Sequence, residues 1–220
     1  IPLRNNDETF NAVIEIPRLT YPKFEIDTKS KIIINKYQNS EREQQKKHFI
    51  KQDINKPEDG NVVVNDVQDI LREYPIPMLW NYGAFPQTWE DDNHLDPHTN
   101  FKGDSDPLDL IEISGITVRE PGTIIPVIPL GVLGMIDSGE TDWKVICIQK
   151  QGEKYNQIES LITKGACLAE INDKLGGEID LIKLWLTYYK VLEAFKKIES
   201  VKVDKLKGQL ADTSSLNKDK

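Results

Sequence analysis

The stretch from Ile124 to Met135 limits the folds open to this chain more than any other. Its apolar character reads as a strand, yet it carries Pro126 and Pro129. A proline removes a ladder donor, so this strand must lie at an edge or carry a bulge. Phe10 to Ile16 alternates, with Phe10, Ala12, Ile14 and Ile16 on one face and Val13 and Glu15 on the other, and Pro17 closes it. Lys23-Phe24-Glu25-Ile26 alternates again, which points Lys23 and Glu25 the same way. Val62 to Val64, Leu108 to Ile113 and Trp143 to Ile148 are further strand candidates. Many short strands with Gly and Pro between them predict a small barrel or sandwich. One segment has a different period. Ile182, Trp185, Tyr188, Leu192, Phe195 and Ile198 recur at helical spacing, which predicts an amphipathic helix over 179–201 packed on the strands. The fold class is therefore mainly β with flanking α.

A length of 220 residues suits one domain, expected over 1–201. The charged, weakly patterned run from Glu41 to Lys56 reads as part of a surface insertion near 38–60, and 202–220 as a polar, disordered tail. Hydrophobic residues make up 38% of the chain, enough for a core. The net charge of -8 argues against a nucleic-acid partner, and no apolar run is long enough to span a bilayer. Cys147 lies in an apolar run, and two cysteines make no disulfide framework, so a cytoplasmic setting is expected. The chain starts at Ile1 inside a patterned segment, which reads as a trimmed N-terminus and leaves a mitochondrial or plastid location open.

Gly103-Asp-Ser-Asp-Pro-Leu-Asp109 carries the chemistry. It packs three carboxylates into six residues. Two carboxylates about 4 Å apart repel by roughly 4 kcal/mol at an effective dielectric near 20. Such a cluster shares protons, spreads into solvent as an acidic turn, or holds a cation. Oxygen donors select magnesium, manganese or calcium over zinc. An EF-hand loop does not fit, because counting from Asp104 the sixth residue is Asp109 rather than Gly and the twelfth is Gly115 rather than Glu. A second acidic block, Asp137-Ser-Gly-Glu-Thr-Asp142-Trp-Lys144, reads as a turn between strands and sets a carboxylate beside a cation, as a metal–phosphate site requires. Lys23 with Glu25, Tyr82, and Tyr189 with Lys190 are weaker candidates, each also readable as an ordinary ion pair, core tyrosine or snorkelling lysine. His48, His94 and His98 show no spacing tied to the acidic blocks and read as surface residues. No P-loop, dinucleotide fingerprint or nucleophile elbow is present.

Glu15-Ile-Pro-Arg18, Lys23-Phe-Glu25, Asn81-Tyr-Gly-Ala-Phe-Pro-Gln-Thr-Trp-Glu-Asp91, the Gly103–Asp109 block and the Asp137–Lys144 block occur in order. Together they resemble the signature blocks of family I soluble inorganic pyrophosphatases of the eukaryotic type. The resemblance covers roughly residues 1–190. It implies a distorted five-stranded barrel of OB type with flanking helices, and a homodimer. It implies Mg2+-dependent hydrolysis of pyrophosphate, taken as its magnesium complex, with Mn2+ as a substitute metal. Asp104, Asp109 and Asp142 would bind activating metal ions, and Asp137 and Glu25 ions arriving with the substrate. Asp106 would orient and deprotonate the attacking water. Lys23, Tyr82, Lys144, Tyr189 and Lys190 would contact phosphate, with Glu15, Arg18 and Glu90 as supports behind them. A substrate that binds as a metal complex also reconciles an acidic protein with an anionic ligand.

The chain departs from the family pattern in three places. Met78 stands where the family has a tyrosine. The family's phosphate-binding arginine has no clear counterpart near Val62–Val64, with Arg72 the nearest. Val191-Leu-Glu-Ala-Phe195 replaces a Pro/Gly-rich loop. These departures motivate a second expectation, a weakened or inactive homologue that binds metal-pyrophosphate or a protein partner. A third, an OB-type nucleic-acid module, requires a basic groove with exposed aromatics, against which the acidic blocks argue.

Overall fold

In the computed structural model, strands β1 (Phe10–Ile16), β4 (Asn81–Ala84), β5 (Asp109–Glu112), β7 (Glu140–Ile148) and β6 (Thr123–Asp137) close into a barrel in that order. Strands β2 (Phe24–Ile26) and β3 (Ile50–Gln52) form a separate antiparallel pair. The structure describes residues 1–26, 50–52 and 73–192. The chain divides into two compact units, Ile1–Gly177 and Glu178–Lys220. The first holds the strands with helices α1 (Glu153–Thr163) and α2 (Leu168–Lys174), and the second is helical over 178–192. The expected strand at Val62–Val64, the tail, Arg72, His48 and most of the expected insertion lie outside the described residues.

The β6 strand meets its prolines as the sequence requires. Its first part, through Val127, pairs with β1, and its second part, from Ile128, pairs with β7. Each half therefore has one strand neighbour, and each proline can turn its missing donor away from it. The register also shifts between Pro129 and Gly131, a bulge. A two-residue turn at Ser138-Gly139, both at positive φ, joins β6 to β7 and ends on the Asp137↔Glu140 pair.

Ala12, Ile14, Leu110, Ile125, Val127, Val145 and Cys147 form the barrel interior with Phe85 and Val118. The alternation of β1 holds through Ile14, a bulge then sets Ile16 opposite Tyr82, and Val13 and Glu15 are buried as well. A strand in a covered barrel hides both faces, so polarity does not report orientation there. No described helix is long and apolar enough to cross a membrane.

One helical expectation needs correction. Among the described residues of the second unit, Ile179, Ile182, Trp185, Leu186 and Tyr189 are buried, whereas Tyr188 is 54% exposed. Taking Tyr188 for a stripe residue placed the buried face about one position off, because Tyr188 and Tyr189 are equally apolar and spacing alone separates them by only 100°.

Candidate functional site

Pairing puts the chemistry on the outer face of the barrel. In the antiparallel β4–β5 pair, Gly83 lies opposite Leu110 and Ala84 opposite Asp109; in the parallel β5–β7 pair, Leu110 lies opposite Val145 and Asp109 opposite Lys144. Leu110 and Val145 point inward, so Tyr82, Asp109, Asp142 and Lys144 point outward. Met135 faces Asp142, so Asp137, two residues along β6, belongs to the same face. β1 shifts register between Ile14 and Ile16, which leaves Glu15 as the extra residue. A bulge of this kind re-aims a side chain. Glu15 is buried and accepts the Ile26 N–H at 2.6 Å, which ties β2, and with it Glu25 and the adjacent Lys23, to β1.

Lys144 is the centre of the cluster. Its Nζ donates to both Asp109 and Asp142, while the Tyr82 hydroxyl donates to the same Asp109 carboxylate. The Lys144 side chain is 4% exposed. Burial alone would lower its pKa, but Asp109 and Asp142 more than offset that and hold the amine charged. The carboxylates show the opposite stress. Burial, then Asp109 and Asp104, push Asp142 up to about 6 against the pull of Lys144. Burial, then Asp104, Asp142 and Asp109, push Glu90 up to about 8. Burial, then Asp106 and Asp109, raise Asp104. Glu15 is driven well above the ordinary carboxylate range by burial and by Asp109 and Glu25, with Lys23 opposing. Asp104, Asp109, Asp142, Glu90 and Glu15 thus share one electrostatic neighbourhood, with Lys23 and Glu25 at its border. Lys23 and Glu25 approach to 3.6 Å.

The Gly103–Asp109 loop is locked by its neighbours. Gly103 N–H donates to Asp91 O, Ser105 N–H to Glu90 O, and Glu90 N–H to Asp106 O. Asp104 accepts the Asp106 N–H at 2.9 Å, and Asp106 is exposed. Thr88 Oγ1 accepts Leu108 N–H and donates to Phe85 O, fixing the approach to Asp109. Glu90 accepts the Trp143 N–H between Asp142 and Lys144. Trp143 in turn donates its indole N–H to Asp96 and meets His98 edge-on. His94 and His98 are exposed, as expected.

Other candidates fall elsewhere. Arg18 is engaged with Asn81 and the Gly115 carbonyl, toward the Glu112 end of β4 and β5 rather than the Asp109 end. Met78 is fully buried, hydrogen-bonded through its backbone to Leu19 and Thr20. Tyr189 and Lys190 lie in the second unit, where the Lys190 Nζ sits 5.4 Å from the Tyr189 ring centre; their phosphate contacts remain what the resemblance implies. Sequence reading missed Glu112, a 1%-exposed carboxylate that accepts hydrogen bonds from Asn81, Ser114 and both the backbone and side chain of Gln149. A charge in the inward register of an apolar strand was the available signal. Thr88 and Ser105 gave no signal, since Leu108 and Glu90, which they bond, are distant in sequence.

Among the described residues, no three Asp, Glu, His or Cys side chains are gathered tightly enough to hold a metal ion as they stand. The chemistry of the donor set nevertheless fits a hard divalent ion. All the donors are carboxylate oxygens, and a cation, the Lys144 ammonium, already sits between two of them.

Comparison with known proteins identifies relatives of the chain. A family model described as inorganic pyrophosphatase matches residues 12–218. An inorganic pyrophosphatase of Drosophila melanogaster is 34% identical over 194 residues, covering 87% of this chain and 48% of its own length. The Homo sapiens inorganic pyrophosphatase is 39% identical over 165 residues, covering 73% and 49%. The chain spans about half the length of the curated relatives it matches. The crystal structure of the type I inorganic pyrophosphatase of Toxoplasma gondii superposes with a TM-score of 0.65 at 32% identity, covering 86% of this chain and 70% of that one. A truncated vacuolar soluble pyrophosphatase of Trypanosoma cruzi, solved in complex with PPi, gives 0.63 at 31% identity, covering 88% and 61%.

Proposed function

The chain belongs to the inorganic pyrophosphatase family, a family that works with divalent metal, and from that premise we propose that it hydrolyses pyrophosphate to two phosphates with magnesium at the Asp104–Asp109–Asp142 cluster. One observation carries the reading. Carboxylates from two separate sequence blocks, one of them also bonded by Tyr82, converge on a single buried ammonium. The complex of the Trypanosoma cruzi relative with PPi supports the substrate.

The residue roles are those the family resemblance implies, and the clustered charge is compatible with them. Asp104, Asp109 and Asp142 would hold the activating metal, and Asp137 and Glu25 would hold ions that arrive with pyrophosphate. Bound there, the ions neutralise phosphate charge and lower the pKa of bound water. Asp106, exposed beside Asp104, takes the proton of the attacking water. Lys144 and Lys23 balance charge on the phosphates, and Tyr82 donates a hydroxyl. Glu15 and Glu90 hold β2 and β7 in place. Phosphate release should be magnesium-dependent and should vanish in Asp106→Ala and Asp104→Ala. No release above blank at saturating magnesium sinks the proposal.

The burial of Met78 in the core favours a second reading. A phosphate hydroxyl supplied by the family tyrosine is not replaced there, and loss of one such contact costs about 1.5–3 kcal/mol. Calorimetry that finds magnesium-pyrophosphate binding without turnover would establish a homologue that binds and does not cleave.

A further inference from the structure

Lys144 holds the position a metal ion would need. Its ammonium bonds Asp109 Oδ2 and Asp142 Oδ1 together, and it is also close enough to Asp104 to oppose that group's raised pKa. The carboxylates therefore already have a counterion supplied by the chain itself. A divalent ion ligated by the same two oxygens and an ammonium bonded to them cannot share the space, and their charges repel.

We propose that Lys144 is the internal counterion of the metal-free site, and that a divalent cation binding to Asp109 and Asp142 displaces its ammonium, freeing it for the substrate phosphate. The inference rests on the proposed pyrophosphatase reading of this site. Three features equip Lys144 for the exchange. Its backbone is fixed in β7, opposite Asp109, so only the flexible four-carbon stem has to move. Lysine carries a compact point charge, whereas the planar guanidinium of arginine would grip a carboxylate bidentately. The Tyr82 ring centre lies 5.5 Å from Nζ, offering an aromatic face beside the ammonium.

The arrangement makes metal and Lys144 competitors. In chelator-treated protein at about pH 8.5, magnesium titrated calorimetrically should bind Lys144→Met roughly tenfold more tightly than the parent chain, since one unit charge opposing the ion is gone. In the unsubstituted chain, brief acylation read by peptide mass spectrometry should label Lys144 weakly without metal and several-fold more with magnesium, normalised to the exposed Lys164. Equal or weaker magnesium affinity in the folded variant overturns the inference. So does Lys144 labelling that stays level or falls with magnesium, a result that needs no variant and decides the matter if Lys144→Met does not fold. Phosphate release measured on the same samples separates the two claims. Hydrolysis with an unmoved Lys144 refutes this inference and leaves the proposed function; lysine release without hydrolysis does the reverse.

Discussion

At the residue scale, the site is held by close fits and by one stressed carboxyl. A Cβ on Gly103 would meet the Glu90 carbonyl carbon at 2.5 Å and its oxygen at 2.6 Å. These are backbone atoms that cannot rotate away, and Glu90 is the residue that grips Trp143 between Asp142 and Lys144. Gly103→Ala should therefore destabilise by about 1–3 kcal/mol in urea unfolding and lower phosphate release more than its stability loss explains. Gly139→Ala is the contrast. Nothing lies within 4 Å of that Cβ, and only its φ of +87° resists, so it should cost about 1 kcal/mol and leave the carboxylate cluster in place. Glu90 gives a pH signature. Its carboxyl is raised from the ordinary 4.5 to about 8, so between those values the folded chain keeps a proton that the unfolded chain has lost. The stability this contributes is complete below about pH 4.5 and lost as pH rises through about 8. In chelator, unfolding free energy should fall across that window by about 1–3 kcal/mol, discounted for solvent at the mouth of the site. Glu90→Gln keeps an acceptor for Trp143 and should flatten the slope; an unchanged slope would assign it to another group.

At the element scale, β6 acts as a bent strut. Proline excludes a ladder donor, so the strand passes from β1 to β7 across its bulge instead of pairing on both sides at once. Gly131, beside the bulge, makes room for Leu168 of α2. A Cβ on Gly131 would meet the Leu168 side chain, with its Cγ at 2.4 Å. Leu168 is flexible, so the cost depends on whether it can turn aside. Gly131→Ala should destabilise by about 1–2 kcal/mol. Pairing it with Leu168→Ala should recover part of that loss, giving a favourable coupling energy in a double-mutant cycle. Simple additivity would show that Leu168 yields freely.

At the scale of the whole molecule, the two cysteines report whether the barrel is closed. Cys147 is fully buried in the interior, and burial, with Glu112 adding, raises its thiol well above the ordinary value. Cys167 is exposed ahead of α2. A thiol reagent should modify one cysteine per native chain and both in denaturant. Fast modification of both without denaturant would mean that the barrel opens.

Much of this was legible in the sequence because the relevant physics is local. Alternation marked β1, apolar runs marked β5 to β7, prolines demanded a bulge, and the two acidic blocks announced their chemistry through charge density. What could not be read was which residues would meet. Asp109 faces Lys144 only because β5 and β7 pair in parallel, Glu15 is aimed only by a register slip, and Glu112 is buried only because its strand closes a barrel. Pairing partners are chosen by the total burial of all strands at once, and no window of sequence contains that sum. The sequence alone determined that aspartates would gather and need positive charge nearby. Only the tertiary structure decided that Lys144 supplies it from within the chain, because the low dielectric of a closed fold makes an uncompensated carboxylate pair too costly to leave bare.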